Sequence, residues 1–346
     1  MNTLNCPLPL RTKDQILLGH GSGGTLSAEL LRDIFLPAFS NPILDCLEDQ
    51  AVVSINGVRL AVTTDTFVVK PLFFRGGDIG SLAVHGTVND LAMGGATPLF
   101  LTVAFILEEG LSIETLRRVV ASLGSAAAAA GVRVVTGDTK VVERGSGDGL
   151  FINTTGIGVV ADGVCLSVSQ AKPGDRVILS GSIGELGIAI RAEHAGLQFE
   201  RPLGSDSAAL HTLVADMLAA SRGIRCLRDP TRGGVSSTLN EIAQQSKVSI
   251  LIDERAIPVR PEVQGACELL GLDPLYVANE GKLIAIVDPA DTEPLLAAMR
   301  RHPLGAGAVA IGVVAEGHPG MVTMRTVLGT SRVVDMLAGD QLPRIC

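Results

Sequence analysis

Five aspartates in this chain stand beside turns or at the ends of apolar runs. They are Asp49 before Ala51-Val52-Val53, Asp65 in Thr63-Thr64-Asp65, Asp90 in Val88-Asn89-Asp90, Asp138 in Thr136-Gly137-Asp138, and Asp229 in Asp229-Pro230-Thr231. A strand that ends in a carboxylate delivers it to one edge of a sheet, and several converging there bind divalent cations that bridge polyphosphate oxygens. One such aspartate is an ordinary turn former or helix cap; five of them beside glycine-rich loops favour a shared site. The loop Gly19-His20-Gly21-Ser22-Gly23-Gly24-Thr25 suits the phosphates, because Gly21, Ser22, Gly23 and Gly24 allow close backbone approach with N–H groups facing the anion. It matches neither GxxxxGK[ST] nor a GxGxxG that follows a strand. A different chemistry lies at the last residue, Cys346, after Pro343-Arg344-Ile345 and a Gly339-Asp340 break. A thiol with nothing after it can be carried into a pocket, and the stretch from Gly339 reaches about 26 Å when extended. Its own α-carboxylate disfavours the thiolate and Arg344 offsets that only partly, so the thiol is poorly activated alone.

The elements that must position these groups alternate between helix and strand. Apolar spacing predicts a helix over 26–35, a hairpin of 51–55 and 59–64 turning at Asn56-Gly57, and a helix over 79–93 stopped by Gly94-Gly95. A fully apolar strand is expected over 98–107, in a buried sheet either shared with a second copy or lying in the core of one chain, a helix over 113–130, and strands over 133–136 and 150–160. Lys172-Pro173-Gly174-Asp175 is a turn that opens a second half, with a strand over 176–180, helices over 184–195 and 208–219, and strands over 249–252 and 283–287. The expected organisation is an N-terminal loop and helix (1–40), a nucleotide-binding α/β domain (41–170), a second α+β domain (171–316), and terminal strands with a tail (317–346).

Composition narrows the partners. A length of 346 residues suits two domains, and apolar residues make up 47%, yet no apolar stretch approaches the roughly 20 residues of a membrane span. A formal charge of −8 without a basic cluster argues against nucleic acid and anionic membranes. Residues 1–11 carry neither a basic region nor a long apolar run, so the cytoplasm is the expected compartment. The six cysteines form no CxxC pair, and neither disulfide nor zinc site is expected. Cys46, Cys165, Cys226 and Cys267 lie among Leu, Val and Ala and are expected in the core; His20 and His85 are expected in or near the cleft.

The segments Asp49-Gln50-Ala51-Val52-Val53, Thr64-Asp65, 88–95 and Asp229-Pro230-Thr231-Arg232-Gly233-Gly234 together resemble the family that includes aminoimidazole ribonucleotide synthetase, selenophosphate synthetase and thiamine monophosphate kinase. Its members bind ATP and activate an oxygen by phosphorylation or transfer phosphate outright. The resemblance implies a two-domain α+β fold with mixed and antiparallel sheets, a dimeric core, a mobile C-terminal tail, and ATP and Mg²⁺ as cofactors. The GHGSGG loop, the segment 136–142, Asn279-Glu280-Gly281-Lys282 and the cysteine end agree together with the HypE branch, the hydrogenase maturation factors. That branch implies ATP-dependent dehydration of an S-carbamoyl group on Cys346 to a thiocyanate, supplying cyanide for the iron of NiFe hydrogenase.

By the same resemblance, Asp49, Asp65, Asp90 and Asp138 hold Mg²⁺, Thr139 lies beside the nucleotide, Arg232 complements phosphate charge, and Asp229 positions its loop or a metal. Lys140 and Glu280 are the expected proton-handling pair at the carbamoyl nitrogen. The implied partners are the carbamoyltransferase HypF, an HypC–HypD iron scaffold that accepts cyanide, and a second copy of the chain. One departure is Glu185-Leu186, where Asp-His is expected. The alternative is a small-molecule kinase or synthetase of the same family, of selenophosphate synthetase or thiamine monophosphate kinase type, in which the tail is dispensable. Asn5-Cys6-Pro7 lacks the glycine-flanked cysteine and nearby lysine expected for selenium chemistry.

Overall fold

A computed structural model describes residues 15–339 except 197, 198 and 200. Cys6, Arg344 and Cys346 lie outside the described residues. After a 3₁₀ turn at Leu18–Gly21, the chain forms α1 (Thr25–Leu30), a π-helical turn (Leu31–Phe35) and α2 (Leu36–Phe39). The helical stretch thus runs past the residue where the sequence pattern fades. β1 (Ala51–Ile55) and β2 (Val58–Phe67) form the expected hairpin, with Asn56 and Gly57 both left-handed at φ 51° and 82°, the backbone that matches the twist of the flanking strands.

A short hairpin, β3 (Phe73–Phe74) and β4 (Gly77–Asp78), leads into α3 (Ile79–Met93). The Asp78 side chain accepts from the N–H groups of Gly80 and Ser81, which sets the start of α3. α3 is apolar nearly all round and is accordingly buried nearly all round. Next come β5 (Ala96–Glu108), α4 (Ile113–Ala129), β6 (Arg133–Val142) and β7 (Leu150–Val160). These strands make a sheet in the order β1-β2-β7-β5-β6, antiparallel except for the β5–β6 pair. β7 alternates strictly between buried and half-buried positions, and its inner face meets α3. There a Cβ at Gly156 would lie 2.9 Å from the Leu91 side chain, so glycine lets the helix seat.

The second half begins at β8 (Arg176–Leu179) and continues through α5 (Glu185–Ala195), α6 (His211–Ala220), β9 (Ile224–Arg228), α7 (Gly234–Ser246), β10 (Ser249–Asp253), α8 (Pro261–Leu270), β11 (Ile284–Val287), α9 (Thr292–Arg301), β12 (Val309–Ala315), β13 (Val322–Arg325) and β14 (Ser331–Val333). Its sheet runs β14-β13-β10-β12-β8-β11-β9, with only β10–β13 parallel. The two halves share cores. Leu186, Ile190 and Ala278 pack with the α3–α4 layer, while Ala92 and Met93 at the end of α3 pack with Leu210, Leu213 and Met217 of the second half. Burying each of the larger side chains, Leu186, Ile190, Met93, Leu210, Leu213 and Met217, contributes about 1.5–3 kcal/mol, so the two halves are held against each other.

Two expectations fail. β5 is not a core strand within one chain: Leu99, Phe100 and Ile106 are exposed, because α3 and α4 cover only one face of the sheet and β6 lies uncovered at its edge, which leaves the reading of a sheet shared with a second copy. Of the four cysteines expected in the core, Cys226 and Cys267 are buried but Cys46 and Cys165 are exposed. Both exposed thiols sit in connecting segments outside the packed layers, where local apolar neighbours do not ensure burial. No helix among the described residues is long and apolar enough to cross a membrane.

Candidate functional site

The interface between the halves gathers carboxylates. Asp49 precedes β1, Asp90 is on the last turns of α3, and Asp229 follows β9. One carboxylate oxygen from each lies within 4.8 Å of the others. The group is built from both sides of the cleft. Thr63 on β2 donates to Asp90 Oδ2 at 2.8 Å, and Arg228 Nη2 pairs with Asp49 Oδ1 at 3.0 Å and with Glu241 Oε2 at 2.7 Å. Asp49 Oδ2 and Asp229 Oδ2 are buried with no partner. Burial, reinforced by the mutual repulsion of the carboxylates, pushes Asp90 well above the ordinary carboxylate range, and burial raises Asp49 against the pull of Arg228. Burial likewise takes Asp229 up to about 6. An all-oxygen donor set with orphaned, desolvated oxygens suits a hard divalent cation such as Mg²⁺.

Asp65 on β2 faces the same cluster. Burial raises its carboxyl group, Arg232 opposes that, and the Thr66 N–H donates to Oδ1 at 2.7 Å. Asp138 stands apart. It lies on the exposed edge strand β6, opposite Ala104, with Lys140 bonded to Oδ2 and the Thr139 N–H to Oδ1. The Lys140 hydrogen bond holds its carboxyl below the ordinary range. Within one chain the converging trio is therefore Asp49, Asp90 and Asp229, with Asp65 beside it and Asp138, Thr139 and Lys140 out on the edge.

The glycine loop packs on the turn that follows Asp229. A Cβ at Gly23 would lie 2.5 Å from Arg232 Cβ, and one at Gly24 would lie 2.0 Å from Leu337 O. The loop is thus wedged between the Asp229–Gly234 turn and the C-terminal segment. Thr25 N–H donates to Leu337 O at 2.9 Å, and Ser22 Oγ lies 2.8 Å from both Gly19 O and Gly339 O. Behind it, α7 holds the same segment through Ser236 Oγ to Asp335 O and Asn240 Nδ2 to Val334 O. Gly21 lies in the open part of the loop, with nothing near its would-be Cβ. His20 is at its start, its Nδ1 taking the Leu17 N–H.

Glu280 is only 2% exposed. Burial first, then the Asp229 charge, pushes it well above the ordinary range. Asn89 Nδ2 donates to Glu280 Oε1 at 2.5 Å. Its neighbour Asn279 accepts from Gly184 N and donates to Pro230 O, tying the Glu280 segment to the Asp229 loop. His85 is also buried, with Nδ1 2.8 Å from Ser207 Oγ, and burial takes its pKa down to about 4. Sequence reasoning missed Thr63, Arg228 and Glu241, which orient the aspartates, and gave Asn89 no role of its own. The one available signal was that Arg228 precedes Asp229 at a strand end.

The fold and the cleft define the class. Residues 47–160 match the model of the AIR synthase related protein, N-terminal domain, and residues 172–324 match that of its C-terminal domain. A thiamine monophosphate kinase from Aquifex aeolicus shares the fold alone, at 18% identity and a TM-score of 0.66, over 90% of this chain and 99% of that one.

Within that class the chain belongs to the HypE family. It is 57% identical to carbamoyl dehydratase HypE of Cupriavidus necator over 98% of this chain and 97% of that protein, and 58% identical to that of Azotobacter vinelandii over 94% and 96%. Among solved structures, HypE in a HypE–HypF complex superimposes with a TM-score of 0.84 at 48% identity, covering 89% of this chain and 99% of that one. HypE in complex with ATP superimposes with a TM-score of 0.81 at 50% identity, covering 96% and 100%.

Proposed function

We propose that the chain is an ATP-dependent carbamoyl dehydratase that converts an S-carbamoyl group on Cys346 to a thiocyanate, for delivery as cyanide to the iron of NiFe hydrogenase. The observation that carries this reading is the path of the C-terminal segment. It is bonded to the glycine loop as far as Gly339, and the remaining stretch to Cys346 spans at most about 25 Å, so the thiol is tethered within that reach of the loop.

The chemistry requires that an amide oxygen, a poor leaving group, become a phosphate. The carbamoyl oxygen attacks the γ-phosphorus of ATP as the nitrogen loses a proton, and ADP departs. A second N–H proton is then removed, the C–O bond breaks toward phosphate, and the C≡N bond forms. Thiocarbamate and ATP become thiocyanate, ADP and phosphate, with the amide oxygen ending in the phosphate. Asp49, Asp90 and Asp229, with Asp65 beside them, would hold Mg²⁺, which supplies neutralisation of polyphosphate charge. Gly21–Gly24 and Arg232 would face the phosphates. Glu280, buried and raised, suits a base that works near neutral pH.

The edge strand completes the site in this reading. β6 is exposed along nearly its whole length, with Val134, Val135 and Val141 uncovered beside Phe100 and Ile106 of β5. A homodimer formed there would cover the apolar residues and bring Asp138, Thr139 and Lys140 of a second copy toward the nucleotide. HypF would load Cys346, an HypC–HypD scaffold would take the cyanide, and the scattered free thiols suit the cytoplasm. Intact mass tests the core of the proposal. Incubation with HypF, carbamoyl phosphate and ATP should add one carbamoyl group, and the loss of one water should follow, with neither step in Cys346→Ala. If Cys346→Ala behaves like the unmodified sequence, the tail reading fails.

A further inference from the structure

Asn89 lies on α3, fully buried, one residue before Asp90. Its three hydrogen bonds settle which way its amide points. Oδ1 accepts the Leu210 N–H at 2.7 Å, so Nδ2 must face Ala208 O at 3.0 Å and Glu280 Oε1 at 2.5 Å. Both amide hydrogens are thereby used. One helical turn earlier, Gly86 packs between the Phe67 ring and the same carboxylate: a Cβ there would lie 2.9 Å from Phe67 Cζ and 3.2 Å from Glu280 Oε2. The two oxygens of Glu280 therefore have different surroundings: Oε1 is engaged by the fixed Asn89 donor, and Oε2 lies beside Gly86 and near the Phe67 ring.

We propose that Asn89 is a positioning residue that gives the two oxygens of Glu280 separate tasks, holding Oε1 as a standing acceptor so that Oε2 alone takes the proton from the carbamoyl nitrogen. This rests on the reading that Glu280 handles that proton. The segment that orients Asn89 also holds Glu280. A Cβ at Gly281, where φ is +104°, would lie 2.6 Å from both Ala208 N and Asp206 O, and Lys282 pairs with Asp206. The charged groups around Glu280 are Asp229 after β9, Asp65 on β2 and Asp206 on the 203–210 segment, all of which disfavour its ionisation. Behind them, Lys282 and Glu185 interact with Asp206, and His85 on α3 is bonded to Ser207. Asn89 is the side chain that donates a hydrogen bond to Glu280 and lowers its pKa, so its removal has a defined sign.

The test is the pH dependence of kcat for thiocyanate formation in carbamoylated full-length protein, with calorimetric ATP binding as a control. Asn89→Ala should lose about 10-fold to 10²-fold in kcat, move the acid limb of the profile to higher pH, and leave ATP affinity within about twofold. Asn89→Asp makes a dyad that works only while it shares one proton, so it should gain a basic limb absent from the parent profile. The two variants are independent, and one that folds suffices. A uniform drop with an unmoved profile, or an unchanged kcat, overturns the proposal. Glu280→Gln separates the two levels of the argument: if it dehydrates normally, the role of Glu280 itself is wrong, whereas if it is inactive while the Asn89 profiles stay unmoved, only the positioning role is wrong.

Discussion

Ser22 Oγ lies 2.8 Å from the carbonyl oxygen of Gly339, across a separation of 317 residues. The glycine loop near one end of the chain and the segment leading to Cys346 are one structural unit. The C-terminal segment is held against the loop up to that residue.

The tightest contact in that unit is at Gly24. Gly24→Ala would drive a Cβ to 2.0 Å from Leu337 O, and backbone cannot yield as a side chain tip does. The variant should lose about 1–3 kcal/mol of stability and bind ATP at least about tenfold more weakly, as read by calorimetry. Hydrogen exchange at Thr25, whose N–H meets Leu337 O, should speed up in parallel. Protection equal to that of the parent would refute the coupling.

The carboxylate trio sets function against stability. Asp90→Asn keeps an acceptor for Thr63 and removes one of three mutually repelling charges. Without Mg²⁺ the variant should melt a few degrees higher, because one raised pKa unit corresponds to about 1.4 kcal/mol. With Mg-ATP its turnover should fall by about 10²-fold or more. Thermal unfolding with and without Mg-ATP, alongside phosphate release, checks both halves. An unchanged melting point in the metal-free protein would mean that the trio is not strained.

His85 makes stability depend on pH. Its folded pKa of about 4 lies below the ordinary 6.5, so the unfolded chain binds the extra proton first as pH falls. The contribution is complete above about pH 6.5 and is lost as pH drops through the folded value. Its size is roughly 3 kcal/mol. His85→Asn, which can still meet Ser207, should flatten the stability curve between pH 6.5 and 4 in urea titrations. A parallel curve would assign the acid sensitivity to other groups.

The edge-strand dimer predicts complementation. Asp138→Asn and Asp90→Asn, each poorly active alone, should recover about a quarter of parental activity when co-refolded in equal amounts. Half of the dimers are then mixed, and each mixed dimer has one intact site. Val135→Lys, placing a charge on the exposed edge, should give monomers by analytical ultracentrifugation. Absence of complementation in a confirmed mixed dimer would place the site within one chain.

Local pattern carried much of the architecture. The helix over 79–93 was legible because its apolar run is long and ends at Gly94-Gly95, and the β1–β2 hairpin because Asn56-Gly57 adopts the left-handed turn that short-range sterics favour. The cleft residues Asp49, Asp65, Asp90 and Asp229 were legible as carboxylates at turns and element ends, and the glycine loop as backbone able to approach an anion. These features depend on a few neighbouring residues. Convergence does not. Only the packing of α3 between the two halves brought Asp49, Asp90 and Asp229 together while leaving Asp138 on an open edge. The same packing buried Glu280 and turned the Asn89 amide onto it. Cys46 and Cys165 have apolar neighbours in sequence yet lie exposed, and β5 shows Phe100 and Ile106 to solvent, because burial is decided by which layer covers a face. Periodicity in a chain specifies which face is apolar; only the tertiary structure decides what, if anything, covers it.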